Sequence, residues 1–565
     1  MISMISMISM ISMTSMISMI SMISMISMIS MISMTFMIIT CLCSSSLAMS
    51  PQSVQDHLDH FDRPDIVLIV ADDLGWGDVS FLDATDLQTP SIDALAGSGA
   101  ILTDFHAGAP VCTPSRYAMF TGQHSWRSRG GLGGVLMLFD QSHRSRGFRD
   151  SERTFAKSLK ELGYDTMLAG KWHLGHGGSE VSPRANGFDG FVGCRGGCID
   201  YFTHAYATVP DWWRGDEAVV EEGEATDLIA AAAAEFIEGH SVGRGDDDPF
   251  LLVVSFTAPH YGKSCLDQVA SDPGTLVTRK AGGLRDDVNG TPRQPVNTLQ
   301  STVADLAAVG GPIVVEHGPD AMAVVLESAT IDPAVRRRHY AAMMKALDDG
   351  VEQVLSALTR SGRENVVVIF TADNGPDETV SNAGSSGRWK GGKHGLEEGG
   401  TRVPTILRWP GVVPAGSTID QLGGLIDLHP TFLRLAGETD NLPRFDGIDL
   451  LPAWRGGVEI ERHLAFRQGG QRSIRRGDWK WNDGRLYDLA RDPGEETDLS
   501  SSEPEIAAAL ARLSRLADEP ISSLGDETEI PDGNARSRER ITAWFSKGLE
   551  STQNRHAIRT WIPEE

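Results

Sequence analysis

The sequence predicts an α/β fold in which helices cover both faces of a central sheet. Continuous apolar and β-branched runs of strand length occupy residues 65–70, 250–256 and 366–370, and such runs are typical of strands buried on both faces. Helical stretches alternate with them at 154–162, 226–239 and 334–358. This alternation, in a chain of 565 residues that is 41% hydrophobic, favours a large layered domain and leaves room for a smaller one.

The first and third of these strands each end in oxygen-bearing side chains. After the first strand the chain continues with Asp72 and Asp73, and after the third with Asp373 and Asn374. In an open α/β sheet, sites are built along the edge formed by the carboxyl ends of the strands. Four hard oxygen donors suit Ca²⁺ or Mg²⁺, whereas Asp72 and Asp73 taken alone are equally compatible with a solvated turn.

The most informative short segment begins at a cysteine and reads Cys112, Thr113, Pro114, Ser115 and Arg116, followed by Thr121 and Gly122. Thr113 is a capping residue type and Pro114 suits a first helical turn, so a helix is predicted from Pro114 to about Phe120. Cys112 would then precede the positive end of the helix dipole, with Arg116 one turn further on, which favours an anion pocket that contains a sulfur. The alternative is a structural cysteine ahead of an ordinary capped helix.

Two further strands lead into basic side chains. A short strand at 164–170 continues into Lys171 and His173, which share a face if the backbone stays extended. The strand at 250–256 leads to His260, and a histidine between a strand end and a loop is a candidate for proton transfer. Each of these signals is weak by itself.

A glycine-rich stretch at 391–404 contains Lys393. Its glycines allow close approach of the backbone to a ligand, and a cationic surface loop is the alternative interpretation. Arg388, Lys390 and His394 are candidate substrate contacts in the same region.

These motifs together resemble the formylglycine-dependent sulfatases, an arylsulfatase-like family of the alkaline phosphatase superfamily. The resemblance rests on the cysteine motif, the acidic strand ends, the Gly-Lys-Trp-His element at 170–173 and the run ending in Arg402, Val403 and Pro404. It spans about residues 60 to 520. It implies a large central mixed, mostly parallel sheet with helices on both faces, plus a smaller C-terminal antiparallel sheet with a packing helix at 504–517.

The resemblance also implies a mechanism and a set of site residues. In this family a separate enzyme oxidises the motif cysteine to Cα-formylglycine; one hydroxyl of its hydrate attacks sulfur, and the other allows the intermediate to collapse and release sulfate. The implied catalytic residues are Cys112, Arg116, Lys171, His173, His260 and Lys393. The implied ligands of a divalent cation, Ca²⁺ or alternatively Mg²⁺, are Asp72, Asp73, residue 112, Asp373 and Asn374.

The function that follows is hydrolysis of sulfate esters of a carbohydrate or an aryl alcohol. A phosphomonoester, phosphodiester or phosphonate hydrolase on the same scaffold is the alternative, because tetrahedral anions of similar size use similar cations. A catalytically silent glycan-binding relative is disfavoured, since every reactive position is filled. The expected partners are a sulfated small molecule or glycan and, transiently, a formylglycine-generating enzyme. Residues 125–137 are expected to line the pocket mouth, with glycan contacts from Trp126, Arg127 and Arg129.

The overall charge narrows the choice of partners. A formal net charge of −26 argues against nucleic acid, whose phosphates bind basic surfaces. The same charge gives no long-range attraction for a polyanionic substrate, so a sulfated glycan must be captured by local cations. Beyond the N-terminal leader no run of 18 apolar residues occurs, and the mature chain is therefore expected to be soluble, without stable membrane insertion.

The N-terminus is low-complexity sequence. Residues 1–34 repeat Met-Ile-Ser and are excluded from the fold. A start at Met34 or Met37 would leave a weak secretory signal, with Cys41 as a marginal lipoprotein site, so export to the periplasm or exterior is expected. The predicted division is a leader at 1–59, a catalytic α/β domain at 60–455, a C-terminal subdomain at 456–520 and a polar tail at 521–565.

Two remaining features leave alternatives open. Cys194 and Cys198 are compatible with a small disulfide loop or with two thiols, and zinc is disfavoured without a second cysteine pair. The stretch from about Lys263 to Ile331 is rich in Gly, Asp and Pro. We expect it to be an insertion beside the active site that shapes substrate choice.

Overall fold

The structure is a computed structural model. It describes residues 63–138, 141–206, 209–242, 248–260, 313–315, 324–326, 333–378, 383–438, 443–457 and 459–519. The predicted leader, its signal segment with Cys41, and the polar tail lie outside the described residues, as does most of the predicted insertion at 263–331.

Strands and helices alternate along the chain as the sequence predicts. The strands of the described ranges are Asp65–Ala71 (β1), Ala100–Leu102 (β2), Phe105–His106 (β3), Asp165–Gly170 (β4), Gly190–Gly193 (β5), Ala205–Tyr206 (β6), Val209–Pro210 (β7), Trp213–Arg214 (β8), Glu217–Ala218 (β9), Phe250–Ser255 (β10), Ile313–Val315 (β11), Val324–Leu326 (β12), Val366–Ala372 (β13), Ile406–Arg408 (β14), Ser417–Ile419 (β15), Gly423–Gly424 (β16), Leu464–Gln468 (β17), Gln471–Arg476 (β18), Trp479–Asn482 (β19) and Arg485–Asp488 (β20). The α-helices of these ranges are Pro90–Ser98 (α1), Cys112–Thr121 (α2), Phe155–Glu161 (α3), Ala225–Gly239 (α4), Pro333–Ser361 (α5), Glu398–Thr401 (α6), Leu428–Leu435 (α7), Leu451–Trp454 (α8) and Pro504–Leu516 (α9).

Within the described residues, ten strands form one mixed sheet in the order β15-β2-β14-β13-β1-β10-β4-β5-β8-β9. Its centre, from β13 to β5, is parallel throughout. Strands β14, β8 and β9 pair antiparallel to their neighbours nearer the centre. The prediction of a mixed, mostly parallel sheet is confirmed.

The central strands are buried on both faces. All seven residues of β1 and all seven of β13 are buried, which explains why their sequences are apolar without alternation. Helices α4 and α5 pack against each other, and α1 packs against α5; α3 and α2 pack against α7. The ring centroid of Phe120 on α2 lies 4.7 Å from that of Phe155 on α3 and 5.2 Å from that of Trp172, which fixes α2 beside the end of β4.

A second, smaller sheet follows near the C-terminus. Strands β17 to β20 form an antiparallel meander, and α9 packs against β18 and β19. Ile474, Leu486 and Leu510 lie in the small apolar core between them. The expected C-terminal sheet with its packing helix is therefore present. In the described part of the chain, no helix has both the length and the apolar character needed to cross a membrane.

Candidate active site

The acidic and amide side chains predicted at two strand ends meet in the structure. Strands β1 and β13 pair in register up to Ala71 and Ala372, so the residues that follow lie side by side. The backbone N–H of Asp73 donates to Oδ1 of Asp373 over 3.3 Å. Asp72, Asp73, Asp373 and Asn374 are each 0% exposed.

Cys112 lies directly against these carboxylates. Its Sγ is 3.6 Å from Oδ1 of Asp72 and 3.8 Å from Oδ1 of Asp73. Helix α2 begins at Cys112 rather than at Pro114, with Val111 as its N-cap. The cysteine therefore occupies the first turn of the helix instead of preceding it.

Thr113 does not cap the helix as predicted. Its hydroxyl donates to the carbonyl of His173 over 3.1 Å and accepts from the N–H of Leu136 over 3.1 Å. Because two tertiary partners occupy this hydroxyl, it ties the first turn of α2 to the segments that hold His173 and Leu136.

Two lysines reach the same carboxylates. Nζ of Lys171, at the end of β4, is 2.6 Å from Oδ2 of Asp72. Nζ of Lys393 lies 2.7 and 2.8 Å from the two carboxylate oxygens of Asp73. Each of these buried acids thus has its own ammonium group, which is the arrangement that buried charges require.

Arg116 supplies a third buried positive charge. Its Nε donates to Oδ2 of Asp373 over 2.8 Å, and its Nη1 donates to Oγ of Ser255 over 2.6 Å. Its Nη2 lies 4.0 Å from Asp72 and has no hydrogen-bond partner among the described residues. Sequence reasoning did not single out Ser255, although its place at the end of β10 is a signal of the same kind as the acidic strand ends.

Together, burial and neighbouring charges raise the pKa values of Asp72 and Cys112 and lower the pKa of Asp73. Burial, helped by the charges of Asp373 and Asp73 and opposed by Lys171, raises the pKa of Asp72 to about 7. Burial works against ionisation of Asp73 as well, but Lys393 and Lys171 prevail and its pKa is lowered. Burial also raises the pKa of the Cys112 thiol well above its usual value. The unmodified side chain at 112 is therefore held as a thiol, which is a poor nucleophile.

His173 and His260 also reach the site, His173 by a different route from the one predicted. His173 has a left-handed φ of 58°, so the backbone does not stay extended at His173 as predicted. Its Nε2 lies 2.9 Å from the carbonyl of Leu136 and must donate there, while its buried Nδ1 has no partner among the described residues. Burial and then Lys171 lower the pKa of His173 well below its usual value. Nε2 of His260 lies 3.5 Å from Oδ2 of Asp73.

The donor set fits a hard divalent cation. Among the described residues, ligand atoms of Asp72, Asp73, Cys112 and His260 all lie within 4.8 Å of one another, a group that includes His260, which was not predicted as a metal ligand, and does not include Asp373. Nδ2 of Asn374 donates to Asp73 over 2.8 Å, which leaves Oδ1 of Asn374 buried without a donor in the described ranges. A buried acceptor beside converging carboxylates is what Ca²⁺ or Mg²⁺ binding requires.

Two of the other side chains predicted near the substrate have partners elsewhere, and the third is exposed. Arg388 is exposed and pairs with Asp83 over 2.5 Å. Lys390 donates to the carbonyl of Glu495 over 2.9 Å. His394 is exposed.

The expected glycan contacts at 125–137 also bind elsewhere. Nε1 of Trp126 donates to the carbonyl of Ala517 over 3.4 Å, and Arg127 pairs with Asp446 over 2.8 Å. Both side chains thus connect this segment to other parts of the chain. Arg129 is exposed. In the described ranges no disulfide joins Cys194 to Cys198.

The fold and the site together define an α/β enzyme for anionic substrates, with buried cations and carboxylates at the carboxyl ends of its strands. The Sulfatase family model matches residues 64–438. Rat steryl-sulfatase is 33% identical over 457 residues, which cover 74% of this chain and 75% of that protein. The chain belongs to the sulfatase family and is a sulfuric ester hydrolase.

Two other proteins show how far the similarity extends. Dog N-acetylgalactosamine-6-sulfatase is 26% identical over 531 residues, covering 83% of this chain and 87% of that protein. The crystal structure of Ps i-CgsB in complex with k-i-k-neocarrahexaose matches with a TM-score of 0.62 at 23% identity, covering 87% of this chain and 100% of that chain. The latter likeness is one of fold.

Proposed function

We propose that the protein hydrolyses sulfate esters of a carbohydrate, or aryl sulfates, through a formylglycine formed at Cys112 and a divalent cation, Ca²⁺ or Mg²⁺. The observation that carries the proposal is the position of Cys112 Sγ, 3.6 Å from Asp72 and 3.8 Å from Asp73, among three buried cations. Asp72, Asp73, Asp373 and Asn374 would hold the cation together with residue 112. When bound, it would neutralise sulfate charge and acidify a hydroxyl of the hydrated aldehyde.

The role of the cationic side chains is to bind the sulfate. A sulfate ester is an anion that a nucleophile must approach, and fixed positive charges in a water-poor site lower that barrier. Arg116, Lys171 and Lys393 provide them, and Nη2 of Arg116, which has no hydrogen-bond partner in the described part of the chain, is available to donate to the sulfate. Oxidation of Cys112 requires transient contact with a formylglycine-generating enzyme.

The histidines would move protons. His260, together with Lys393, would assist departure of the alcohol or phenol by giving its oxygen a proton. His173 is held neutral by burial, and its Nε2 hydrogen bond to Leu136 leaves Nδ1 as the nitrogen able to accept a proton. That nitrogen would take the proton of the second hydroxyl at residue 112 as sulfate leaves.

Sulfated sugars are the favoured substrate class. One similar protein is an N-acetylgalactosamine-6-sulfatase, and a protein of the same fold binds k-i-k-neocarrahexaose. Consistent with such a substrate, we propose an exported enzyme whose catalytic domain spans 60–455 and whose C-terminal subdomain spans 456–520.

Coexpression with a formylglycine-generating enzyme tests the proposal. Mass spectrometry of the peptide that contains residue 112 should detect the aldehyde, and 4-nitrophenyl sulfate should be hydrolysed faster than 4-nitrophenyl phosphate. Cys112→Ala should lose at least about 10³-fold in kcat without a change in melting temperature, because it removes the nucleophile. Cys198→Ala is the matched control, a buried cysteine whose replacement should leave turnover intact. Retained activity in Cys112→Ala, or faster hydrolysis of the phosphate, would overturn the proposal.

A further inference from the structure

The segment that carries Lys393 is a loop closed at its neck. In this Lys393 loop, residues 390–399, the N–H of Gly399 donates to the carbonyl of Lys390 over 2.8 Å. The N–H of Lys393 donates to the carbonyl of Pro376 over 2.8 Å. The backbone of Lys393 is therefore anchored at Pro376, and the two ends of its loop are joined at the neck.

Glu495 binds both sides of that neck. Its Oε1 accepts from the N–H of Glu398 over 2.6 Å, and its carbonyl accepts from Nζ of Lys390 over 2.9 Å. Glu495 is 1% exposed and follows β20 of the C-terminal sheet. A residue about a hundred positions further along the chain thus clamps the two ends of the Lys393 loop.

The C-terminal sheet holds this clamp in turn. Nζ of Lys480, on β19, lies 2.9 Å from Oε1 of Glu495 and 3.1 Å from Oε1 of Glu398. Arg475, on β18, lies 2.6 Å from Oε2 of Glu398. All four side chains are buried, and charge-assisted hydrogen bonds between buried groups hold a more precise geometry than exposed pairs do.

The backbone of Glu495 is itself constrained. Its φ of 49° lies in the left-handed region, which residues other than Gly, Asn and Asp rarely adopt. Such a conformation persists where the surrounding contacts determine it, and it occurs preferentially at functional positions.

A metal at this cluster is not supported by the contacts. Asp104, His106 and Glu398 have the spacing of a metal site. However, Arg475 already binds the carboxylates of both Asp104 and Glu398, at 3.0 and 2.6 Å, and Arg402 does so as well. These guanidinium groups supply the positive charge that an ion would otherwise bring.

We propose that Glu495 is a positioning residue for the reaction. By clamping the neck of the Lys393 loop, it keeps Nζ of Lys393 beside Asp73, where the lysine can act on the sulfate and on the leaving oxygen. The inference rests on the proposed function. The C-terminal sheet then contributes to catalysis, because Glu495 follows its last strand and the buried partner of Glu495, Lys480, lies on β19.

The consequence is a specific dependence on the leaving group. Lys393 stabilises negative charge that develops on the departing oxygen, and a less acidic phenol needs this help more. Phenol is less acidic than 4-nitrophenol, so displacement of Lys393 must slow phenyl sulfate more than 4-nitrophenyl sulfate. A general loss of stability would slow both substrates equally.

The experiment compares Glu495→Ala with Lys393→Ala on these two substrates in the formylglycine-bearing enzyme. Glu495→Ala should lower kcat/KM for phenyl sulfate by about 10-fold more than for 4-nitrophenyl sulfate. In the Lys393→Ala background, Glu495→Ala should lower kcat/KM for phenyl sulfate by less than a further factor of about 3, because both substitutions remove the same interaction of Lys393. Glu495→Gln should restore part of the rate, since its amide oxygen still accepts from the N–H of Glu398. Equal losses on both substrates, or losses that multiply in the double variant, would overturn the inference.

Hydrogen exchange gives a readout that does not require turnover. Amides at 391–397 should exchange at least about 10-fold faster in Glu495→Ala, because the neck loses the side-chain bond to the N–H of Glu398 while the backbone carbonyl of residue 495 still binds Lys390. Ile474→Val is the matched control, a buried change in the same sheet that leaves the clamp intact and should not affect this loop. Unchanged exchange in Glu495→Ala contradicts the inference, whereas absence of wild-type turnover contradicts the proposed function.

Discussion

At the scale of single residues, the side chain of Asn374 points to a cation at this site. Oδ1 of Asn374 is a buried acceptor with no donor in the described ranges, next to the carboxylates of Asp73 and Asp373. Leaving such an atom unsatisfied costs free energy. A cation at the strand ends would satisfy it and would neutralise the adjacent carboxylates.

Calcium binding is therefore predicted to stabilise the protein through Asn374. Adding Ca²⁺ to chelator-treated protein should raise the melting temperature, since a ligand at 100 times its Kd contributes about 2.7 kcal/mol. Asn374→Ala should reduce this rise. Differential scanning calorimetry with and without Ca²⁺ measures it. Asn186→Ala is the control, because Asn186 is buried and hydrogen-bonded to Ser182 outside the site. An equal rise in Asn374→Ala would contradict the prediction.

Residue identity and strand position were enough to predict which acidic and amide side chains meet. Asp72, Asp73, Asp373 and Asn374 lie together because parallel strands end at one edge. The local geometry of Thr113 and His173 was not predictable in this way. A hydroxyl that can cap a helix can also bind two distant backbone groups, and a left-handed φ at a histidine has no sequence signature.

At the scale of elements, the end of β4 positions the lysine of the site. Gly170 has a φ of 114°, and a Cβ placed there would lie 1.9 Å from the carbonyl oxygen of Ser255. That oxygen also accepts from the N–H of Lys171 over 2.8 Å. The glycine therefore allows β4 and β10 to approach closely where Lys171 enters the site.

Gly170→Ala is predicted to destabilise the protein by more than about 3 kcal/mol, because the clash is with backbone that cannot move aside. Gly437→Ala is the matched control: its φ is 86° and a Cβ there meets open space, so only the conformational cost of about 1 to 2 kcal/mol applies. Urea unfolding monitored by circular dichroism compares the two. Equal losses would show that the contact with Ser255 is unimportant.

Element types and lengths followed closely from periodicity. The helix predicted at 226–239 is Ala225–Gly239 and the one at 504–517 is Pro504–Leu516, since each has an apolar face of helical spacing. The start of α2 was misplaced by two residues. Local capping preferences cannot anticipate that Thr113 is occupied by tertiary contacts.

For the molecule as a whole, burial of neutral histidines is a common feature. Histidines with a lowered pKa, in each case chiefly through burial, include His106, His124, His173, His176, His204, His429 and His463. Unfolding exposes them to water, where they bind protons near pH 6.5. Each therefore contributes stability that is present above pH 6.5 and is lost as the pH falls toward its folded pKa.

The contribution of one buried histidine to the pH dependence of stability can be measured at His429. It is 0% exposed, its Nε2 lies 3.0 Å from Oγ of Ser158, and burial lowers its pKa to about 3. His429→Gln should reduce the fall in unfolding free energy between pH 6.5 and 4, by up to about 1.4 kcal/mol per pH unit. Urea unfolding of both proteins across this range measures the difference. Identical pH slopes would exclude His429 as a contributor.

The sequence by itself determined the fold class and the family resemblance and supplied the candidate residues of the site, because residue type, strand ends and apolar periodicity are local properties. Only the tertiary structure decided that Glu495 binds Lys390 and Glu398, and that Trp126 and Arg127 bind Ala517 and Asp446. These contacts join positions about a hundred or more residues apart. Which surfaces meet is set by the packing of whole sheets and helices, and no local pattern in the chain encodes it.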